Sequence, residues 1–320
     1  MKNSTGILLI IASVFVIVGA VIFVGVMMVL KWDFSRLSTV KFRTESHVVN
    51  SKFVNISVSA DTADIVLLPS EDGVCRVVCH EEEKQKHTVS VDGETLTVRQ
   101  TNTKKWYEYI GISWGTAKIT VYLPETEYGS LTIKGSTGDV EIPKEFTFES
   151  VDILSSTGDV SCVASVSQSA KITLTTGGIS LADMSALSID LSVSSGSVTA
   201  DSVNCVGEFS IGVSTGRTEL LSVKCGSLVS SGSTGNILLK NTVADGSISV
   251  KRSTGNVCFE DSDASEIYVN TSTGNVKGSL LSDKVYITET DTGKVKVPRS
   301  VVGGRCEIST STGDIILTVN

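Results

Sequence analysis

The dipeptide Thr/Ser-Gly returns along the chain with its glycine at Gly138, Gly158, Gly177, Gly196, Gly216, Gly235, Gly255, Gly274, Gly293 and Gly313. The successive intervals are 20, 19, 19, 20, 19, 20, 19, 19 and 20 residues. A period held this tightly marks structural repeats that stack on one another, and it constrains the fold of the 320 residues more than any other feature.

Each copy shares an internal pattern. Two residues after the glycine stand Val140, Val160, Ile179, Val198, Thr218, Ile237, Val257, Val276, Val295 and Ile315. Four residues after it stand Ile142, Cys162, Leu181, Ala200, Leu220, Leu239, Phe259, Gly278, Val297 and Leu317. Alternation with a period of two marks a strand with one buried face. A second strand precedes the next glycine, with Val151 and Ile153, Ile189 and Leu191, Phe209 and Ile211, or Ile267 and Val269 turned inward. One such coil has nothing to bury its apolar face against, whereas stacked coils bury those faces in a continuous column. The pattern therefore predicts an all-β fold, a single-stranded-wound β-solenoid of about ten coils of 19–20 residues spanning 131–320. At about 4.8 Å per rung the body is roughly 45 Å long. Ser, Thr, Gly and Val suit strands and tight turns, and the glycine is expected where the chain turns sharply at positive φ.

Positions beside the turn should also form rows. The residue after each glycine reads Asp139, Asp159, Gly178, Ser197, Arg217, Asn236, Asn256, Asn275, Lys294 and Asp314. Asn236, Asn256 and Asn275 are expected to make an amide ladder. Asp139 and Asp159 are like charges one rung apart, read either as solvated turn carboxylates or as calcium ligands, although no Gly-Gly-x-Gly-x-Asp signature is present. Cys205 and Cys225 each fall nine residues after their glycines and should stack. That spacing permits a disulfide, while the Thr147, Ser167, Ala186, Ala244 and Ala264 found at the same position indicate a slot for small side chains.

Ahead of the repeats the chain divides by composition. Residues 1–6 form a short tail, and residues 7–30 carry 24 consecutive uncharged positions, enough for a helix of about 36 Å that crosses a bilayer. The run exceeds the apolar region of a cleaved signal peptide, which is the alternative. The lipid bilayer is thus an expected partner. Lys31, Arg36, Lys41 and Arg43 follow the helix, and by the positive-inside rule they favour a cytoplasmic body. Residues 31–45 read as a juxtamembrane linker and 46–130 as an irregular β region. Within it Asp92-Gly93 marks a hairpin, and Thr62–Leu67 matches Thr137–Ile142 closely enough to suggest an extra rung. Glu81–Lys86 reads as a solvated charged loop, and Trp106-Tyr107-Glu108-Tyr109 as cap or core, with a ligand surface the alternative.

Chemical motifs are poorly supported. Gly212-Val213-Ser214-Thr215-Gly216 fits G-x-S-x-G but falls on a repeat turn, and His47, His80 and His87 all lie far away in sequence. Cys75-Arg76-Val77-Val78-Cys79-His80 reads as a strand with both thiols on one face. The 7 cysteines show no disulfide framework, and a net charge of -8 without a basic stripe excludes a nucleic-acid surface. No catalytic residue and no cofactor is expected.

The strand "ADIVLLPS" at 63–70, the hairpin "DGETLTV" at 92–98, the strand "ITVYLP" at 119–124 and the "STGDV"-like turns from 136 to 315 resemble the bacterial adhesin-like family of β-strand repeats known as the toastrack domain of unknown function. The resemblance covers about residues 50–320 and implies an envelope component with its repeats outside the cytoplasm. In some relatives it implies an association with envelope-stress systems. It carries no catalytic residues. The expected function is a non-catalytic, membrane-anchored module that binds a cell-wall or envelope protein component. The alternatives are a homo-oligomer built through the solenoid ends and a regulatory partner of a stress-signalling system. The assembly alternative rests on an uncapped last rung, "TGDIILTVN", which ends at Asn320.

Overall fold

The computed structural model describes residues 2–33, 36, 40–106 and 115–320. An α-helix, Lys2–Val29, opens the chain, and Gly6–Val29 within it is long and apolar enough to cross a membrane. The helix ends in a left-handed pair, Lys31 and Trp32 at φ 54° and 58°. Their N–H groups donate to the carbonyls of Met28 and Met27, which closes the last turn.

Beyond it the repeats form two parallel walls. In the wall of short strands, Val140, Val160, Ile179, Val198, Thr218, Ile237, Val257 and Val276 are in register from rung to rung. In the opposite wall of longer strands, Leu131, Val151, Ala170, Ile189, Phe209, Leu228, Ile248 and Ile267 do the same. These side chains fill one continuous buried column, so the alternation in the sequence becomes a β-solenoid of about ten turns. The drift between 19 and 20 residues is absorbed in bulges of the long-strand wall. Between Cys205 and Glu208 the chain uses one residue more than its neighbour does between Cys225 and Ser227.

The repeat glycine is required by the stack as much as by its own backbone. Gly216 sits at φ 144°, and a Cβ there would lie 1.5 Å from the carbonyl oxygen of Gly196 on the rung below. The next position ties rungs together through side chain and backbone. Asp139 N–H donates to Asp64 Oδ1 at 3.0 Å, Asp159 N–H to Asp139 Oδ1 at 2.8 Å, and Gly178 N–H to Asp159 Oδ1 at 2.7 Å. The expected amide ladder follows the same rule. Asn256 N–H donates to Asn236 Oδ1, Asn275 N–H to Asn256 Oδ1, and Asp314 N–H to Asn275 Oδ1. The ladder therefore runs from backbone to side chain, not amide to amide.

Both ends are built out of chain order. The strands Asn55–Thr62 and Asp64–Pro69 pair directly with Glu127–Thr137 and Val140–Ile142, so Ala63 stands where a repeat glycine would and the extra rung is real. The segment between them is laid on the outside. Thr95–Asn102 pairs with Asn55–Thr62, and Lys118–Leu123 pairs with Asp64–Pro69. Cys75–Glu82, Gln85–Asp92 and Phe42–Val49 then add antiparallel to that end. The strand Phe42–Val49 begins inside the stretch read as a linker to residue 45: all of it pairs with Cys75–Glu82, and the alternate residues Arg43, Glu45 and His47 turn to the half-buried face.

At the other end the uncapped rung expected at Asn320 is overturned. The strand Gly304–Thr312 lies between Val257–Thr273 and Lys284–Thr292, and Ile315–Val319 lies between Val276–Leu280 and Val295–Lys296. The last coil in sequence is thus the second to last in space. The coil around Gly293 is outermost, and its inward positions Tyr286 and Thr288 are more polar than Cys306 and Ile308, their partners in the coil it covers. Placing the polar coil outside keeps the apolar one buried.

Candidate functional site

The outward residues of the short strands make a second row. Glu141, Ser161, Ser180 and Thr199 are in register, so a line of hydroxyls crosses neighbouring rungs on the solvent face. Gly177, Gly178 and Gly196 leave the turn edge low beside this row, and the result is a groove of about 490 Å³ with Asp139 and Asp159 at its border. Each of these two aspartates spends one carboxylate oxygen on the N–H of the next rung, and this explains how like charges tolerate the spacing. At the far end of the same column Asp314 accepts the N–H of Lys294, and that bond, helped by Lys277, holds its carboxyl below the usual carboxylate range.

The cysteines are packing residues. Cys205 and Cys225 are in register on adjacent rungs as free, buried thiols, and their Sγ atoms reach backbone carbonyls, including Glu208 O at 3.3 Å and Val243 O at 3.9 Å. Burial pushes the Cys162 thiol up to about 11 and the Cys306 thiol up to about 12, so neither is a thiolate near neutral pH. Gly212–Gly216 runs along a strand into a repeat turn without any helix, so the G-x-S-x-G match lacks its structural context. Trp106 is exposed, while Tyr107, Glu108 and Tyr109 lie outside the described residues.

A polar cluster at the end joined by the strand Phe42–Val49 was not legible as a site. The run Glu81–Lys86, expected as a solvated loop, is the tight junction of the strands Cys75–Glu82 and Gln85–Asp92. Glu81 is fully buried there. Its Oε2 accepts the backbone N–H of His87 at 2.5 Å and lies 2.8 Å from His87 Nδ1, and Arg43 Nη2 stands 3.5 Å from Oε1. Cys79, two residues before Glu81 on the same face, completes a group of three whose ligand atoms lie within 4.8 Å of one another. Burial, then the nearby Glu81 and Glu45, push the Cys79 thiol up to about 12.

Residues 53–216, just over half of the chain, match the family described as Toastrack DUF4097. The chain is a member of the Toastrack DUF4097 family. Solved structures similar to this toastrack chain come from bacteria. A protein described as a putative adhesin from Bacteroides fragilis is 14% identical, with a TM-score of 0.43 over 87% of this chain and 97% of its own. One described as a putative lipid binding protein from Parabacteroides distasonis is 12% identical, with a TM-score of 0.36 over 86% and 97%. A putative adhesin from Parabacteroides merdae is 10% identical, with a TM-score of 0.32 over 87% and 96%. No curated relative matches the chain. The structural likenesses are distant, and membership in the toastrack family rests on residues 53–216.

Proposed function

We propose that this toastrack protein is a non-catalytic, membrane-anchored component of a bacterial envelope that holds its solenoid outside the cytoplasm and binds an envelope component along the short-strand face. The observation that carries this reading is the groove over Glu141, Ser161, Ser180 and Thr199, bordered by Asp139 and Asp159. Hydroxyls repeated at rung spacing, with carboxylates at one edge, suit an extended polymer rich in hydroxyl and amine groups. Solenoids commonly use surfaces of this kind for binding. The helix Lys2–Val29 supplies the anchor, and the adhesin descriptions of similar structures agree with a surface role. The residues Lys31, Arg36, Lys41 and Arg43 argue for the opposite orientation by charge alone.

Two measurements test the reading. Full-length protein in detergent should retain material from a purified cell-wall fraction, and Ser161→Arg with Ser180→Arg should lower that retention at least tenfold while leaving the fold intact. Protease added to intact cells should remove the solenoid. Equal retention by the variant, or a protected solenoid, defeats it.

Assembly through the solenoid end is a second reading, favoured by the outermost strand Lys284–Thr292, which among the described residues pairs on one side only and exposes Val285 and Ile287. Light scattering decides it: concentration-dependent oligomers lost on Ile287→Lys support assembly, and a monomer at high concentration counts against it.

A further inference from the structure

We infer that Cys79, Glu81 and His87 form a binding site for a divalent metal of the zinc class, which pins the two walls of the solenoid together at the end that the strand Phe42–Val49 joins. Among the described residues this is the one group of three such side chains whose ligand atoms converge, all within 4.8 Å. The fold brings them together from opposite walls. Cys79 and Glu81 alternate onto the inner face of Cys75–Glu82 in the short-strand wall, and His87 points inward from Gln85–Asp92 in the long-strand wall.

The ligand set selects the metal. A thiolate, an imidazole and a carboxylate suit zinc and its cobalt analogue, whereas calcium and magnesium prefer sites built wholly of oxygen. The spacing is close to what coordination needs. Two ligand atoms, each about 2.0–2.1 Å from a tetrahedral ion, stand about 3.3 Å apart. His87 Nδ1 and Glu81 Oε2 are 2.8 Å apart, so a shift of about half an ångström admits the ion in place of the shared proton.

The His87 ring is held with one nitrogen toward Glu81 and the other free to take the displaced proton. It is only 4% exposed, Nδ1 faces Glu81, and its other ring nitrogen, Nε2, is buried with no hydrogen-bond partner among the described residues. The same ring lines a cleft of about 250 Å³ with Phe42, Glu82, Gln85 and Gln100, which offers an approach to the ring from solvent. Binding exchanges one ion for one proton: the Cys79 thiol gives up its proton and becomes a thiolate, the proton between Glu81 and His87 moves to Nε2, and Glu81 and neutral His87 supply the other two electron pairs. Arg43 is the adjacent cation. It keeps Glu81 Oε1 and is itself balanced by Glu45 at 2.6 Å.

The test uses the full chain in detergent after removal of metal by a chelator. Titration with Co²⁺ should give one ion per chain, with the tetrahedral visible bands and the near-ultraviolet charge-transfer band that a thiolate adds, both bleached by Zn²⁺. Cys79→Ser should lose the charge-transfer band and His87→Gln should weaken binding at least tenfold, while Cys75→Ser, a buried thiol on the same strand outside the group, should keep both signals. Zn²⁺ should also raise the unfolding temperature of the unmodified chain, where Ca²⁺ and Mg²⁺ do not. An unmodified chain with neither a charge-transfer band nor a rise in unfolding temperature overturns the inference, as does a band that survives Cys79→Ser.

Discussion

Arg252 is the residue whose replacement should stabilise this protein. It occupies an inward position of the long-strand wall, buried in the column, and among the described residues no carboxylate pairs with it. Neighbouring rungs have made room for it: the facing residue is Gly232, and Ser230 and Thr218 stand where other rungs carry Ile or Val. Nη2 donates to Ser230 Oγ at 3.2 Å and Thr218 Oγ1 at 3.3 Å, while Nε and Nη1 are buried with no partner among the described residues. Burial accordingly pulls the guanidinium below the usual arginine range. Two unsatisfied donor nitrogens cost about 1–3 kcal/mol each, and the two hydrogen bonds to hydroxyls offset about 0.5–1.5 kcal/mol each. Arg252→Met keeps the length of the stem and removes the charge, and with the freed Ser230 and Thr218 hydroxyls turning to strand carbonyls it should stabilise the surrounding rungs by about 1–3 kcal/mol. Arg252→Ala leaves a void as well and should fall about 2–4 kcal/mol below the methionine variant. Amide hydrogen exchange is the suitable assay, because a solenoid opens locally and a single global transition is not assured. Protection across Lys224–Thr234 and Val243–Thr254 reads the effect directly. A loss of more than about 1 kcal/mol of protection in Arg252→Met would show that the guanidinium has an internal partner, and the reasoning fails.

Other perturbations separate the stack from its decoration. Gly216→Ala should cost about 1–3 kcal/mol for strained backbone and a comparable amount for overpacking, whereas Gly212→Ala, whose new Cβ meets nothing closer than 3.7 Å, should be nearly neutral in the same denaturation series. Raising the pH should weaken the fold from the core outward. An unfolded thiol ionises near pH 9, but Cys162 in the folded chain does so only near 11, so its stabilisation is complete below pH 9 and falls by about 1.4 kcal/mol per unit as the pH rises to 11. Cys162→Ala should flatten that alkaline slope by one thiol, whatever it does to stability at neutral pH. Thr288→Val with Thr290→Val turns the cover of the outermost coil apolar, and the purified chain should then associate at concentrations where the parent is monomeric by light scattering.

The interior of the repeats was legible because stacking couples every rung to the same grammar. A side chain two or four residues after the glycine has no choice of face, and Val160, Ile179 and Val198 therefore stack as their spacing requires. Chain order at the ends is another matter. Period alone assigns Gly293 and Gly313 to successive rungs, and nothing in a period says which of two coils lies outside. The distinguishing signal was composition at fixed positions: Tyr286 and Thr288 against Cys306 and Ile308. Read that way, the sequence does name its cap.

The same reasoning explains why the cluster around Glu81 was hidden. A run such as Glu81-Glu82-Glu83-Lys84-Gln85-Lys86 looks solvated because buried carboxylates are rare, and rarity is a property of residue types, not of places. At the end of an apolar column the inward positions no longer face another rung, and a polar residue there costs little only if it finds a partner. Arg43, Glu45, Glu81 and His87 find one another. Both ends of the solenoid are thus closed with polar side chains, by hydroxyls and the Lys284–Asp263 ion pair at one end and by charges and a thiol at the other. Among the described residues only the second end converges on a point, and convergence of unlike ligand atoms distinguishes a site from a cover.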